Sequence, residues 1–320
     1  MRLSVVIPCY NEEPVLAECV RQVQQVLVEL SAQGKIAAGN LWLVDDGSRD
    51  ATWSLIEQLS REHANVVGVK LSRNRGHQNA LLAGLLNADG DAVISLDADL
   101  QDDVGVIEEM VDAYLAGNEV VFGVRRSRVQ DPLFKRWSAR RYYALLRVLG
   151  VDVVPDHAEF RLMGRNALQA LAEFPETNLF LRGLVPQLGF RSARVFYDRQ
   201  LRLAGHTKYP LARMLGLGID GITSFSAVPL RMIAALGAVL FVLAMLVSLW
   251  VLGVRIFTDH ATPGWASTTL PIYALGGVQL LSLGLVGEYV AKIYVEVKRR
   301  PRYLIERMTS DRVIGEPRGP

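Results

Sequence analysis

The chain has 320 residues, 50% of them hydrophobic and 21% charged, with 35 basic and 33 acidic side chains and a formal net charge of +2. That length suits two modest domains or one domain with an appendage, and so small an excess of positive charge gives no basis for a nucleic-acid partner. Cys9 and Cys19 are the only cysteines and form no CxxC, which excludes a disulfide scaffold and a structural zinc site and fits a reducing compartment.

The first strand is expected in LSVVIPCY, residues 3–10, and its short apolar run meets a proline and acidic residues too early for a secretory signal peptide. Residues 14–33 repeat Val, Leu and Gln at helical spacing. NLWLVDDGS (40–48) reads as a second strand, followed by a helix in DATWSLIEQLSREH (50–63). A third strand, NVVGVKLS (65–72), precedes a helix in HQNALLAGLLNA (77–88). DAVISLDAD (91–99) is a fourth strand, a helix follows near residues 104–117, and EVVFGVR (119–125) is a fifth strand. Strands alternating with helices at this spacing predict βαβ units and a mainly parallel sheet. Ligands of open parallel sheets bind at the carboxyl ends of the strands, and there the polar runs PCYNEE, VDDGSRD, LSRNRGH, LDADLQD and GVRRSR gather. Neither GxGxxG nor GxxxxGK[ST] is present at the first helix, so a Rossmann or P-loop phosphate cradle is not expected.

The fourth strand ends in four aspartates within seven positions, Asp97, Asp99, Asp102 and Asp103. Like charges this close cost free energy unless a cation lies between them. Asp102 or Asp103 can cap the following helix. Asp97 and Asp99 are two apart in an extended segment and share one side, which suits a divalent cation.

The last third differs in composition. Residues 232–254 and 270–287 are uncharged runs, each long enough at 1.5 Å per residue to cross a hydrocarbon core of about 30 Å. The second is interrupted by Pro271 and several glycines, which membrane helices tolerate. The intervening 255–269 carries one arginine and one aspartate, whereas 291–307 holds Lys292, Lys298, Arg299, Arg300, Arg302 and Arg307. The positive-inside rule puts that tail in the cytoplasm, and two crossings put the N-terminal domain there too. Residues 208–232 mix apolar and spaced charged positions, as an interfacial segment does. The expected layout is a cytosolic domain over 1–207, interfacial segments over 208–231, two spans within 232–290 (about 232–254 and 269–290) and a basic cytosolic tail over 291–320.

In order along the chain, VVIPCYNEE, VDDGSRDAT, SRNRGHQNAL, DADLQDD, AEFRLMGR, FLRGLVPQLGF, RLAGHTKYP and GEYVAKIYVEVKRRPRYLIE together resemble the family 2 glycosyltransferases of GT-A fold. Within that family they are similar to polyprenyl-phosphate glycosyltransferases such as bactoprenol glucosyltransferases and dolichol-phosphate mannose synthases. The resemblance implies an α/β nucleotide-sugar domain followed by interfacial and transmembrane helices in the cytoplasmic membrane. It implies inverting transfer from a nucleotide sugar, with UDP-glucose the first choice, to polyprenyl phosphate. Pro8, Tyr10, Glu12 and Asp46 would hold the nucleoside. Asp97 and Asp99 match the DxD element, and with Gln101 would bind Mg²⁺ or Mn²⁺. Arg125, Lys135, Arg136 and Arg140 stand where the acceptor phosphate is bound, and Arg202 and Lys208 where the diphosphate is closed over. Without the family, VRRSR and KRWSARR read equally well as a solvated basic face or an anionic-lipid patch. Glu159 replaces an aspartate common among relatives, which would shift its contact with the sugar or leaving group. A homo-oligomer through the C-terminal tail is plausible by the same analogy.

Two other functions compete. A processive polysaccharide synthase would carry QxxRW, but KRW at 135–137 has Leu133 in the glutamine's place. A non-catalytic nucleotide-sugar-binding partner of a flippase would have no need of an intact DADLQ.

Overall fold

The computed structural model describes residues 1–126, 157–176, 181–198 and 265–310, with residue 230 and scattered positions from 233 to 246. The chain divides into two compact units. One combines Met1–Tyr143, Asp152–Tyr209 and Arg299–Pro320; the other combines Ala144–Val151 and Pro210–Lys298.

The first unit is built on β1 (Arg2–Cys9), α1 (Glu13–Ala32), β2 (Ala38–Asp45), α2 (Thr52–Glu62), β3 (Val66–Leu71) and α3 (His77–Asn87). There follow β4 (Ala92–Ser95), a single 3₁₀ turn (Val104–Val106), α4 (Ile107–Leu115), β5 (Val120–Arg125) and β6 (His157–Gly164). After these come α5 (Arg165–Ala172), α6 (Leu181–Gln187), β7 (Ser192–Tyr197) and β8 (Ile305–Met308). The eight strands form one sheet in the order β7-β5-β6-β4-β1-β2-β3-β8. The pairs β1·β2, β1·β4, β2·β3 and β5·β7 are parallel, so the sheet is mostly parallel as expected. The inserted β6 runs antiparallel to β4 and β5.

The centre of the sheet explains the uninterrupted apolar runs. Seven of eight residues in β1 are buried, as in a strand covered on both faces by crossover helices. Helix α1 opens with Pro14 in its first turn and buries Val15, Leu16, Cys19, Val20, Val23, Leu27 and Leu30, one face at helical period. Helix α3 approaches the sheet through Gly84, where a Cβ would stand 2.2 Å from Val6 Cγ1 and 2.9 Å from Val44 Cγ2. Any side chain there would push the helix away from β1 and β2.

The tail departs from the sequence expectation. Residues 305–308 extend the edge of the sheet, pairing antiparallel with β3. Gly68 N donates to Thr309 Oγ1 at 2.8 Å, and Lys70–Glu306 and Arg307–Glu57 are ion pairs. The strand is short and charged, properties that protect a sheet edge from unwanted pairing.

The second unit contains α7 (Trp265–Val297), a 33-residue helix that extends the expected 269–290 at both ends. Ile272, Leu275, Leu283, Val286, Val290 and Ile293 are exposed along it. Among the described residues no helix is both long and apolar enough to cross a membrane. The expected first span, 232–254, lies mostly outside the described residues.

Candidate active site at the carboxyl edge of the sheet

Because β1, β2, β3 and β4 run parallel, the loops after them meet at one edge. Loops one and two are tied by side chains: Asn11 N donates to Ser48 Oγ at 3.0 Å, Asn11 Oδ1 accepts from Arg49 N at 2.8 Å, and Glu12 N donates to Thr52 Oγ1 at 2.9 Å. Gly47 turns the second loop with φ 69°, and a Cβ there would meet Asn74 N at 2.6 Å, so the third loop can lie against it.

The two aspartates that end β2 divide their work. Asp46 accepts from Arg75 N at 2.7 Å and Gly76 N at 2.9 Å, pinning the loop that leads into α3. Asp45 accepts from Ser48 N at 3.1 Å through Oδ1, while its buried Oδ2 has no hydrogen-bond partner among the described residues. Burial pushes both carboxyls above their ordinary range. Asp46, the expected nucleoside ligand, is therefore spent on backbone amides, and the unused acceptor belongs to its neighbour. Tyr10 is exposed on the rim, and Pro8 lies inside β1 in register with Val44.

After β4 the chain stays alternately buried. Ala98 and Leu100 are in the core and Asp97 and Asp99 are half-buried, but the strand has ended at Ser95 and residues 98–99 form a turn, so the extended geometry expected for the two aspartates is not what positions them. Leu100 has φ 54°, left-handed for a bulky residue, and Asp99 Oδ1 accepts from Gln101 N at 3.2 Å. Asp97 Oδ1 lies 2.9 Å from His77 Nε2 at the start of α3. Burial alone would raise the Asp97 carboxyl; the His77 hydrogen bond and the charges of His77, Arg182 and Arg125 outweigh it and hold the group below its ordinary range. Gln101 is buried beside the pair. Among the described residues no three His, Cys, Asp or Glu side chains converge as a metal site.

Arg125 ends β5 with its guanidinium on Asp102: Nη2 and Nε reach Oδ1 at 2.8 and 3.2 Å. Tyr197 OH donates to the same oxygen at 2.5 Å. Asp102 is buried and its Oδ2 has no partner among the described residues. The expected acceptor-phosphate ligand thus already serves as counter-ion to a buried carboxylate.

Glu159 on β6 is buried, and both of its oxygens are engaged. Oε1 accepts from Gln78 Nε2 and Arg182 Nε, each at 2.8 Å, and Oε2 pairs with Arg161 Nη2. Arg161 has no exposed surface and donates from Nη1 to Leu181 O at 3.1 Å. Glu159 is accordingly a holder of cations. Sequence reading passed over Arg182 and Gln78, although FLRG and GHQNA contain them; lone polar residues beside a helix start give no signal of their partners. Lys135, Arg136, Arg140, Arg202 and Lys208 lie outside the described residues.

A mostly parallel α/β sheet with its polar loops gathered at the carboxyl edge is a nucleotide-sugar domain of GT-A type. The chain belongs to glycosyl transferase family 2, whose sequence profile matches residues 4–172. It is 48% identical to the uncharacterized glycosyltransferase YkoT of Bacillus subtilis (strain 168), over 95% of this chain and 91% of that protein. It is 35% identical to the prophage bactoprenol glucosyl transferase homolog of Escherichia coli (strain K12), over 96% and 99% of the two chains. The bactoprenol glucosyl transferase of Shigella phage SfII is also 35% identical, over 96% and 98%. Among solved structures, a glucosyl-3-phosphoglycerate synthase from Mycobacterium tuberculosis in complex with UDP matches at 22% identity over 70% of this chain and 78% of that one. The TM-score is 0.45.

Proposed function

We propose that this glycosyltransferase moves a sugar from a nucleotide sugar, UDP-glucose in first place, to polyprenyl phosphate at the cytoplasmic face of a membrane, with inversion at the anomeric carbon. The observation that carries the reading is the DADLQ loop, where Ala98 and Leu100 are buried in the core and Asp97 and Asp99 stay half-buried at the ligand-binding edge. Near-full-length likeness to relatives named bactoprenol glucosyl transferase supports the lipid acceptor.

Asp97 and Asp99 offer oxygen donors suited to Mg²⁺ or Mn²⁺, with Gln101 adjacent. Two carboxylates suit a hard cation, and Asp97 and Asp99, with Gln101, would hold it. When bound, such an ion offsets the charge that develops on the leaving diphosphate. The rest falls to the chain. A phosphate oxygen of the acceptor attacks the anomeric carbon as the bond to the diphosphate breaks, and the bonding pair leaves with the nucleotide. The nucleophile is already anionic at neutral pH, so no strong base is required. What the protein must supply is alignment and positive charge. Pro8, Tyr10, Glu12 and the Asp45–Asp46 loop are assigned to the nucleoside. Arg125, Lys135, Arg136 and Arg140 are assigned to the acceptor phosphate, and Arg202 and Lys208 to the diphosphate.

Membrane attachment rests on the two uncharged runs and on the exposed apolar residues along α7. Strand β8 supports the topology. Residues before and after the second unit belong to one sheet, so that unit must cross a bilayer an even number of times, in keeping with two spans and both termini in the cytosol.

The test is turnover. Membranes containing the protein, polyprenyl phosphate and a panel of radiolabelled nucleotide sugars should yield a chloroform-soluble product with one donor, and EDTA should abolish it. A water-soluble polymer, or no product with any donor, refutes the reading.

A further inference from the structure

Arg182 is the cation the site has in reserve. It lies at the start of α6, and its side chain is 43% exposed although its Nε is anchored 2.8 Å from Glu159 Oε1. That single contact leaves both Nη nitrogens without a partner among the described residues. The anchor is stiff. Glu159 is also gripped by Gln78 and by the fully buried Arg161, while Gln78 Oε1 accepts from Leu181 N at 3.1 Å, one residue before Arg182. Gln78 in turn follows His77, whose ring lies on Asp97. Two successive residues of α3 therefore connect the DxD carboxylate to the Glu159–Arg182 pair. A guanidinium oriented from behind by a buried carboxylate, with its fork facing solvent beside Asp97, has the form of a site for phosphoryl oxygens.

We propose that Arg182 binds a phosphoryl group of a substrate and that Glu159 is the positioning residue that aims it. The inference rests on the phosphate-to-diphosphate exchange proposed above and gives a role to an arginine to which the sequence analysis assigned none. Two phosphates are within the chemistry of that reaction, the donor's diphosphate and the acceptor's monophosphate.

Calorimetric titration of the full chain in detergent separates the two sources. The probes are inorganic pyrophosphate with MgCl₂ and farnesyl phosphate. Arg182→Ala should weaken one of them roughly ten-fold, the loss expected for one hydrogen-bonded charge pair, while uridine binding and the melting temperature stay unchanged. Loss confined to pyrophosphate assigns Arg182 to the donor, and loss confined to farnesyl phosphate assigns it to the acceptor. Millimolar guanidinium should restore part of the lost affinity, an effect that a packing role would not produce. Should the alanine variant fail to fold, Arg182→Lys serves: its one nitrogen pairs with Glu159 and leaves no fork, so the same loss is expected. Unchanged affinity for both probes in a folded variant, or a wild type that binds neither, overturns the proposal. If the wild type transfers no sugar to lipid, the functional reading falls, and pyrophosphate binding still decides Arg182.

Discussion

Replacing Glu159 by glutamine keeps the shape of the side chain and removes its charge. The consequence falls on Arg161, which has no exposed surface, while the half-exposed Arg182 can be solvated by water. Burial already depresses the Arg161 guanidinium, with Arg182 adding to the effect, and Glu159 is its hydrogen-bonded counter-ion. Breaking a buried pair from one side costs about 3–5 kcal/mol, because the remaining charge has no compensation. Glutamine still offers one acceptor, so the lower end, about 3 kcal/mol, applies. For a domain of roughly 150–250 residues each kcal/mol lowers the melting temperature by about 2–4 °C, so Glu159→Gln should melt roughly 6–12 °C below wild type. The assay is thermal unfolding of the purified chain in detergent, read by tryptophan fluorescence. Adding Arg161→Met to Glu159→Gln removes the stranded charge and should recover much of the loss. A single variant that melts within about 2 °C of wild type, or a double variant no more stable than the single, would refute the charge argument.

Asp99→Asn, and to a lesser degree Asp97→Asn, should abolish transfer while leaving the melting temperature near wild type; near-normal activity of either purified variant in EDTA would exclude the cation reading. Asp46→Ala removes the carboxylate acceptor of the Arg75 and Gly76 amides, and the loss of two hydrogen bonds to a charged group should lower stability measurably in the same melting assay. Deleting residues 299–320 uncovers the edge of β3 and removes the Lys70–Glu306 and Arg307–Glu57 pairs, so the truncated chain should aggregate in size-exclusion chromatography where the full chain does not. In intact cells a membrane-impermeant thiol reagent should label Thr262→Cys directly and Arg300→Cys only after permeabilisation; the reverse pattern would refute a cytosolic catalytic domain.

The five strands read from sequence start within two residues of β1 to β5, but β2 ends three residues before the expected 48 and β4 four before the expected 99; residues 14–33 correspond to α1 at Glu13–Ala32. Central parallel strands and amphipathic helices announce themselves because burial on two faces or on one stripe leaves a local pattern. Strand β8 leaves none. Two of its four residues are charged, and it is a strand only because β3 offers an open edge and Glu57 and Lys70 supply opposite charges. The active-site edge was legible for the same reason as the strands, since carboxylates clustered at strand ends are a local signal. Which carboxylate stays available was not. Asp45 and Asp46 are adjacent in sequence, yet the third loop claims Asp46 and leaves Asp45 Oδ2 without a partner among the described residues. Motif position gives no sign that Arg125 also pairs with Asp102, or Glu159 with Arg161 and Arg182, because those partners arrive from other segments of the chain.

The acidic edge also shows how such a cluster is tolerated before any ligand arrives. Asp97 has His77, Asp102 has Arg125 and Tyr197, and Asp103 accepts from Gly105 N at 3.0 Å to cap the 3₁₀ turn. The geometry carries a conformational cost as well, concentrated at Leu100. A left-handed backbone at a non-glycine residue costs of order 1–3 kcal/mol, and full burial of a leucine side chain returns about 1.5–3 kcal/mol. The two are matched, so the strain persists only while Leu100 remains in the core. Leu100→Gly would relieve it and, by the same step, release the buried anchor of the loop that carries Asp97 and Asp99. Packing of Leu100 and the hydrogen bonds from His77 and Gln101 N together hold the loop that carries the two carboxylates.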